Sequence, residues 1–185
     1  MPLEIEHRAQ LTEEEFDALA DKLRQRGVDL GPDNKHIWFY VLPDKLLKVV
    51  HNITHGDGKI VVKANRIGEG SAFPEVELSI AANDVPAAIE IFRVLGYGQY
   101  MHDAYNQRHN WRYGTVEIAL KRSEAWGPHA EFEVVVADGA SPAEIDEAND
   151  RVRTAAKDLG VRLMSEEELA DFTRRFEAKQ ERKVA

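Results

Sequence analysis

Glutamates stand one residue apart at three places in the chain: Glu4 and Glu6, Glu75 and Glu77, Glu131 and Glu133. Apolar residues alternate with them, Leu3 and Ile5, Val76 and Leu78, Phe132 and Val134. Residues two apart share one face of a strand, so each segment reads as a strand with carboxylates on one side and packing residues on the other. Gathered together, the pairs would build an acidic wall inside a folded domain. Such burial is costly unless cations neutralise it. A hard divalent ion, Mg²⁺ or Mn²⁺, suits oxygen ligands of this kind, and its usual business is phosphate chemistry.

Basic side chains occupy matching positions on the intervening segments. Arg8 continues the row of Glu4 and Glu6, and Lys59 shares a face with Lys63. Asn106, Arg108, Asn110 and Arg112 form another row, and Glu117, Ala119 and Lys121 a mixed one. A solvated sheet face would alternate in the same way. Glutamate is depleted in strands, however, and three pairs beside rows of Arg and Lys fit a polar interior better. Carboxylates would hold the metal, while lysines and the planar fork of arginine would hold phosphate oxygens.

The elements that must position these rows are legible. Thr12 and Glu15 form a capping box, followed by Phe16, Leu19, Ala20 and Leu23 at helical spacing up to Gly27. Residues 36–50 read as two strands around Pro43-Asp44, and His55-Gly56-Asp57-Gly58 as a hairpin turn into a strand at 59–63. A glycine-rich loop at 68–71 leads to a strand at 75–80. A helix starts near Asp84 with Pro86 in its first turn and stops at Gly96. Strands follow at about 102–112, 115–121 and 130–136. A two-helix C-terminal tail spans about 141–183, capped by Ser141 with Glu144 and by Ser165 with Glu168. Roughly eight strands joined mostly by short turns, with four helices, predict an α+β fold: an antiparallel sheet or barrel with flanking helices, one domain over 1–185. Eight strands closed into a barrel leave room for side chains or one small ligand.

Composition narrows the partners. There are 33 acidic and 24 basic residues, a formal net charge of −9, which argues against a nucleic-acid partner. No apolar run approaches a membrane span and no secretory pattern opens the sequence, so a cytoplasmic, membrane-free protein is expected. The absence of cysteine removes disulfides, thiolate metal sites and cysteine nucleophiles. His51 and His55 flank a hairpin rather than share a helix face, which disfavours zinc. His7 falls on the apolar side of its strand, a structural place. Trp38, Phe39, Tyr40, Tyr105 and Trp111 could stack on a purine or thiazolium ring, or fill a core.

Taken in order, these segments resemble the CYTH, or triphosphate tunnel metalloenzyme, superfamily. Glu4-Ile5-Glu6-His7-Arg8 is similar to its opening Glu-x-Glu-x-Lys signature, with arginine for lysine. Leu46-Leu47-Lys48-Val49-Val50 resembles a Leu-Arg-x-Arg strand, and Ile60-Val61-Val62-Lys63 the strand ending in a phosphate-binding lysine. Glu75-Val76-Glu77 resembles the next Glu-x-Glu element, and Asn106-Gln107-Arg108 a Lys-x-Arg strand that follows the turn at Leu95-Gly96-Tyr97. The segment from Trp126 to Glu133 is similar to the closing element.

The resemblance implies an eight-stranded antiparallel β tunnel with flanking helices that processes a small-molecule triphosphate with Mg²⁺ or Mn²⁺. It implies metal ligands among Glu4, Glu6, Glu75, Glu77, Glu131 and Glu133, and catalytic roles for Glu4, Glu6, Glu131 and Glu133. Phosphate would lie on Arg8, Lys48, Lys63, Arg108 and Lys121. The likeness is nearest in look to small class IV adenylyl cyclase-like members, and a homodimer is compatible with it. Three positions depart from the pattern: Val50 and Asn106 replace basic residues, and Lys121 replaces an acid, with Lys121, Arg112 or Lys59 available to compensate. The expected activities are a metal-dependent triphosphatase, an adenylyl cyclase making cyclic AMP and pyrophosphate, or a binding module that has lost turnover. Deleting Arg8 would weaken triphosphate binding and, by removing charge from a preorganised site, raise thermal stability.

Overall fold

Strand follows strand with a reversal of direction, and the last pairings bring the sheet back on itself. The computed structural model describes residues 3–64 and 72–184; the glycine-rich loop expected at 68–71 lies outside the described residues. The strands are β1 (Leu3–Gln10), β2 (Val28–Pro32), β3 (Lys35–Val41), β4 (Leu46–Asn52), β5 (Asp57–Lys63), β6 (Ala72–Ala81), β7 (Met101–Tyr113), β8 (Val116–Ser123) and β9 (Gly127–Val136). The helices are α1 (Glu13–Arg26), α2 (Val85–Val94), α3 (Pro142–Leu159) and α4 (Glu166–Val184).

Neighbours run β7-β3-β4-β5-β6-β1-β9-β8, and β8 pairs again with β7, which closes an eight-stranded antiparallel barrel. The ninth strand, β2, pairs with His109–Arg112 of β7 beyond the point where β3 pairs with Met101–Asn106. It extends the circuit at one edge without adding a turn to it. Its Val-Asp-Leu-Gly-Pro sequence has no alternation to betray it, and most of it is exposed.

The large apolar cores lie outside the barrel. Ile5, Ile118, Leu120, Ala130, Phe132 and Val134 face outward and pack with Phe16, Leu19 and Leu23 of α1 and with Ala148, Val152, Ala155 and Leu159 of α3. Tyr40, Leu47 and Val49 pack likewise against Val85 and Ala88 of α2. Burial of these rows drives the barrel's wall onto its helices. With strand side chains alternating at period two, that packing forces the other row of each strand inward.

The caps hold the helices where the sequence places them. Thr12 Oγ1 accepts from the Glu15 backbone N–H at 3.2 Å while Glu15 accepts from the Thr12 N–H at 2.8 Å. Ser141 and Glu144 repeat the box on α3, and the Ser165 hydroxyl accepts from the Glu168 N–H at the start of α4. Gly160 ends α3 in the left-handed region at φ 70°, a backbone shape that favours glycine.

Candidate functional site

The inward rows enclose a cavity of about 840 Å³. All eleven residues singled out as metal, phosphate or catalytic candidates line it: Glu4, Glu6 and Arg8 of β1, Lys48 of β4, Lys63 of β5, Glu75 and Glu77 of β6, Arg108 of β7, Lys121 of β8, and Glu131 and Glu133 of β9. His7, between the inward residues Glu6 and Arg8, turns outward, and its Nε2 lies 2.7 Å from Oδ1 of Asn149 on α3.

Register decides which carboxylates meet. Glu6 lies opposite Glu133 across the β1–β9 ladder, and Arg8 lies opposite Glu131. As a result Glu4, Glu6 and Glu133 form one group whose ligand oxygens all lie within 4.8 Å of one another. Burial pushes the Glu133 carboxyl up to about 9, and the charges of Glu4 and Glu6 push in the same direction. Burial also opposes ionisation of Glu6, but Arg8 and Lys63 beside it win and hold it down to about 2. One neutral acid thus sits beside an ionised carboxylate, an arrangement a divalent cation would complete by displacing the proton. The all-oxygen donor set fits Mg²⁺ or Mn²⁺.

The other glutamates are engaged differently. Glu131 lies 2.9 Å from the Lys121 ammonium, 3.3 Å from Arg8 Nε and 3.9 Å from Arg108 Nη1. Burial opposes its charge, yet those cations, Lys121 foremost, keep it well below the usual carboxylate range. Glu75 pairs with Lys63 at 3.4 Å, and burial raises its carboxyl. Glu77 accepts from Lys59 near the cavity rim. Glu4, Glu6 and Glu133 thus form a three-carboxylate group, whose Glu4 and Glu6 also hold Lys63 and Arg8, while Glu75, Glu77 and Glu131 each pair with a cation.

The cations are built in as firmly. Lys63, only 3 % exposed, donates to Glu4 and, at 3.0 Å, to Glu6. Its burial disfavours the charge, but Glu6, Glu4 and Glu75 outweigh it and raise the ammonium's pKa. Arg8 Nε donates to Glu6 at 2.6 Å. Burial, reinforced by Lys63, brings Lys48 down to about 8. Of the three departures from the resembled pattern, Lys121 neutralises Glu131, Asn106 is buried, and Val50 packs in an apolar cluster. Arg112 is exposed and outside the cavity lining, so it does not stand in for a missing cation.

Two site residues escaped the sequence reading. Asp33, in the β2–β3 connection, is 2.7 Å from Lys35 and 3.4 Å from Arg108, and it accepts from Asn52 at 2.6 Å and Asn110 at 3.1 Å. Lys35 opens the inward row of β3, and burial lowers its pKa, with Arg108 adding to the effect. The signal available was Lys35's parity with Ile37 and Phe39, masked by the aromatic run that follows. Trp126, Phe172 and Thr173 also line the cavity, with the Trp126 and Phe172 rings 4.0 Å apart and the Arg8 guanidinium 5.3 Å from the Trp126 ring centre.

Solved structures with this architecture include a protein of Pyrococcus horikoshii, 20% identical with a TM-score of 0.67 over 90% of this chain and 99% of that one. A protein of Vibrio parahaemolyticus described as a candidate adenylate cyclase is 16% identical, TM-score 0.66, over 91% and 98% of the two chains. A candidate adenylyl cyclase from Hippeastrum with a dominant triphosphatase activity is 15% identical, TM-score 0.60, over 88% and 90%. These likenesses show the fold: this chain shares the barrel of proteins described as candidate cyclases, one of them with a dominant triphosphatase activity, as its resemblance to the tunnel superfamily implied. No protein-family model and no curated protein sequence matches the chain.

Two outcomes follow from the buried charges. Folding moves the Glu133 carboxyl from its ordinary 4.5 up to about 9, so the folded chain takes up a proton there. That group's contribution to stability therefore falls as pH rises from about 4.5 towards 9. Glu133→Gln keeps a neutral side chain and removes the dependence. In chelator it is expected to exceed the parent in stability by on the order of 1–3 kcal/mol at pH 7, with a gap that widens from pH 5 to pH 8. Urea denaturation at several pH values measures this, and a variant less stable than the parent at pH 8 would count against it. Arg8→Ala runs opposite to the sequence expectation. It strands Glu6 and Glu131, so stability is expected to drop by about 3 kcal/mol, with much of it restored in Arg8→Lys.

Proposed function

We propose that this protein is a divalent-metal-dependent triphosphate-processing enzyme that hydrolyses an inorganic or small organic triphosphate inside its β tunnel. The observation that carries this reading is the juxtaposition of two groups in one cavity. Glu4, Glu6 and Glu133 bring three carboxylates within ligand distance of one another, and Arg8, Lys48, Lys63, Arg108 and Lys121 line the same space. A triphosphate is the small molecule that needs both, because its charge demands cations from the protein and a metal between its oxygens.

In this reading Glu4, Glu6 and Glu133 hold the ion, with Glu131 completing the acidic set from the neighbouring position on β9. When bound, Mg²⁺ or Mn²⁺ would neutralise phosphate charge and orient the triphosphate. The protein's own contribution is positioning. Arg8 and Lys63 are fixed by Glu6 and Glu4, Lys121 and Arg108 by Glu131, and each can point a donor at a phosphate oxygen with little reorganisation. Water attacks the terminal phosphorus, the bridging P–O bond breaks, diphosphate leaves, and a glutamate of the site takes the proton lost by water.

A second reading, an adenylyl cyclase, is favoured by the fold shared with proteins described as candidate cyclases. There the ribose 3′-hydroxyl attacks the α-phosphorus and pyrophosphate leaves. The register of the triphosphate against the cations separates the two reactions.

Incubation with ATP, tripolyphosphate and thiamine triphosphate in Mg²⁺ or Mn²⁺, with products resolved by chromatography, tests the proposal. Orthophosphate from at least one substrate, abolished by chelator, is the expected result. Cyclic AMP with pyrophosphate would transfer the assignment to the cyclase, and tight binding without product would make the tunnel a binding module.

A further inference from the structure

Lys35 and Asn106 stand directly opposite each other where β3 pairs with β7, and both line the tunnel. At Asn106 the resembled pattern carries the lysine of its Lys-x-Arg strand, and here the place holds a buried neutral amide. The three residues considered as substitutes are otherwise placed. Lys121 neutralises Glu131, Lys59 donates to Glu77 near the rim, and Arg112 lies outside the lining. Lys35, by contrast, puts a cation on the inward row of the strand that faces Asn106. Like charges directly opposite one another in a ladder are destabilising, so this cross-strand pair favours one lysine, on either strand, over two.

Lys35 is held from its own connection. The Asp33 carboxylate lies 2.7 Å from the Lys35 ammonium, and the Asp33 backbone N–H donates to the Arg108 carbonyl at 2.8 Å. Asn34 Oδ1 accepts from the Arg108 N–H at 3.0 Å, so the segment ahead of Lys35 is fastened to β7 beside Asn106. Asp33 also accepts from Asn52 at 2.6 Å and Asn110 at 3.1 Å, with Arg108 Nε 3.4 Å away. Those partners remain if Lys35 turns away, so its ammonium, which has three donors, can reach a phosphate oxygen without stranding a buried carboxylate. Burial and the nearby Arg108 lower the Lys35 pKa against the pull of Asp33, and a bound polyanion would restore the charge.

We infer that Lys35 is a phosphate-binding residue of this tunnel, supplying from β3 the cation that Asn106 does not supply from β7. The charge has changed strands and kept its place in the cavity. This rests on the triphosphate reading above and assigns that site a residue outside the resembled pattern. It also makes the neutral Asn106 a relocation of charge rather than a loss of phosphate binding.

Tripolyphosphate binding in Mg²⁺ is measured by calorimetry for the parent, for Lys35→Met and for the exchange variant Lys35→Asn/Asn106→Lys. Lys35→Met keeps most of the stem, removes the ammonium and is expected to lose about tenfold in affinity. The exchange variant returns the cation to β7 and should bind within about threefold of the parent, a rescue that a purely structural role for Lys35 would not give. If Lys35→Met folds poorly, Asp33→Asn/Lys35→Met removes the pair of charges together and should show the same loss. Parent-like affinity without the Lys35 ammonium, or a loss that the exchange does not restore, would overturn the inference while leaving the triphosphate reading standing. Failure of the parent itself to bind tripolyphosphate would remove both.

Discussion

Charges facing one another across the inside of a closed sheet must be neutralised by each other or by a ligand, and this constraint shapes the whole tunnel. The barrel reverses the usual arrangement, with its large apolar cores between the outer wall and the helices and its ionised groups within. Packing of Phe132, Val134 and Ile118 against α1 and α3 sends Glu131, Glu133 and Glu117 inward. The helices therefore stabilise the site indirectly. By burying one row of each strand, they determine which way the other row points.

Within that constraint the charges are not interchangeable. Glu131 sits among three cations and remains ionised, whereas Glu133, one inward position further along β9, faces Glu4 and Glu6 and keeps its proton. Two glutamates of one Glu-x-Glu segment thus take different parts, one holding Lys121, Arg8 and Arg108, the other completing a carboxylate group. Buried groups arranged to shift each other's proton affinity are costly to stability and useful at a binding site. Lys121 illustrates the exchange of roles: where an acid was expected, a lysine satisfies the neighbouring carboxylate.

Much of this was legible before the fold was known, because strand periodicity separates inward from outward rows without further information. The Glu4/Glu6, Glu75/Glu77 and Glu131/Glu133 pairs all line the cavity. The pairing between strands was not legible. That Glu6 meets Glu133 while Arg8 meets Glu131 depends on register, which no single segment encodes. Asp33 escaped because it lies in a connection and acts through Lys35, Arg108 and two asparagines from other strands. The short β2 escaped because it has no alternating pattern. The expectation for Arg8 was framed without Glu131, which lies 123 positions away in the chain and 3.3 Å from its Nε.

On the proposed reading, Glu4, Glu6 and Glu133 form a divalent-cation site whose occupation displaces a proton. Titration of Mn²⁺ into the protein at pH 7, by calorimetry in buffers of differing ionisation enthalpy, counts the ions bound and the protons released together. The expected result is saturable binding with release approaching one proton per ion, and loss of both in a folded Glu4→Gln/Glu6→Gln double variant. Binding by that variant equal to the parent's, or binding without proton release, would contradict it.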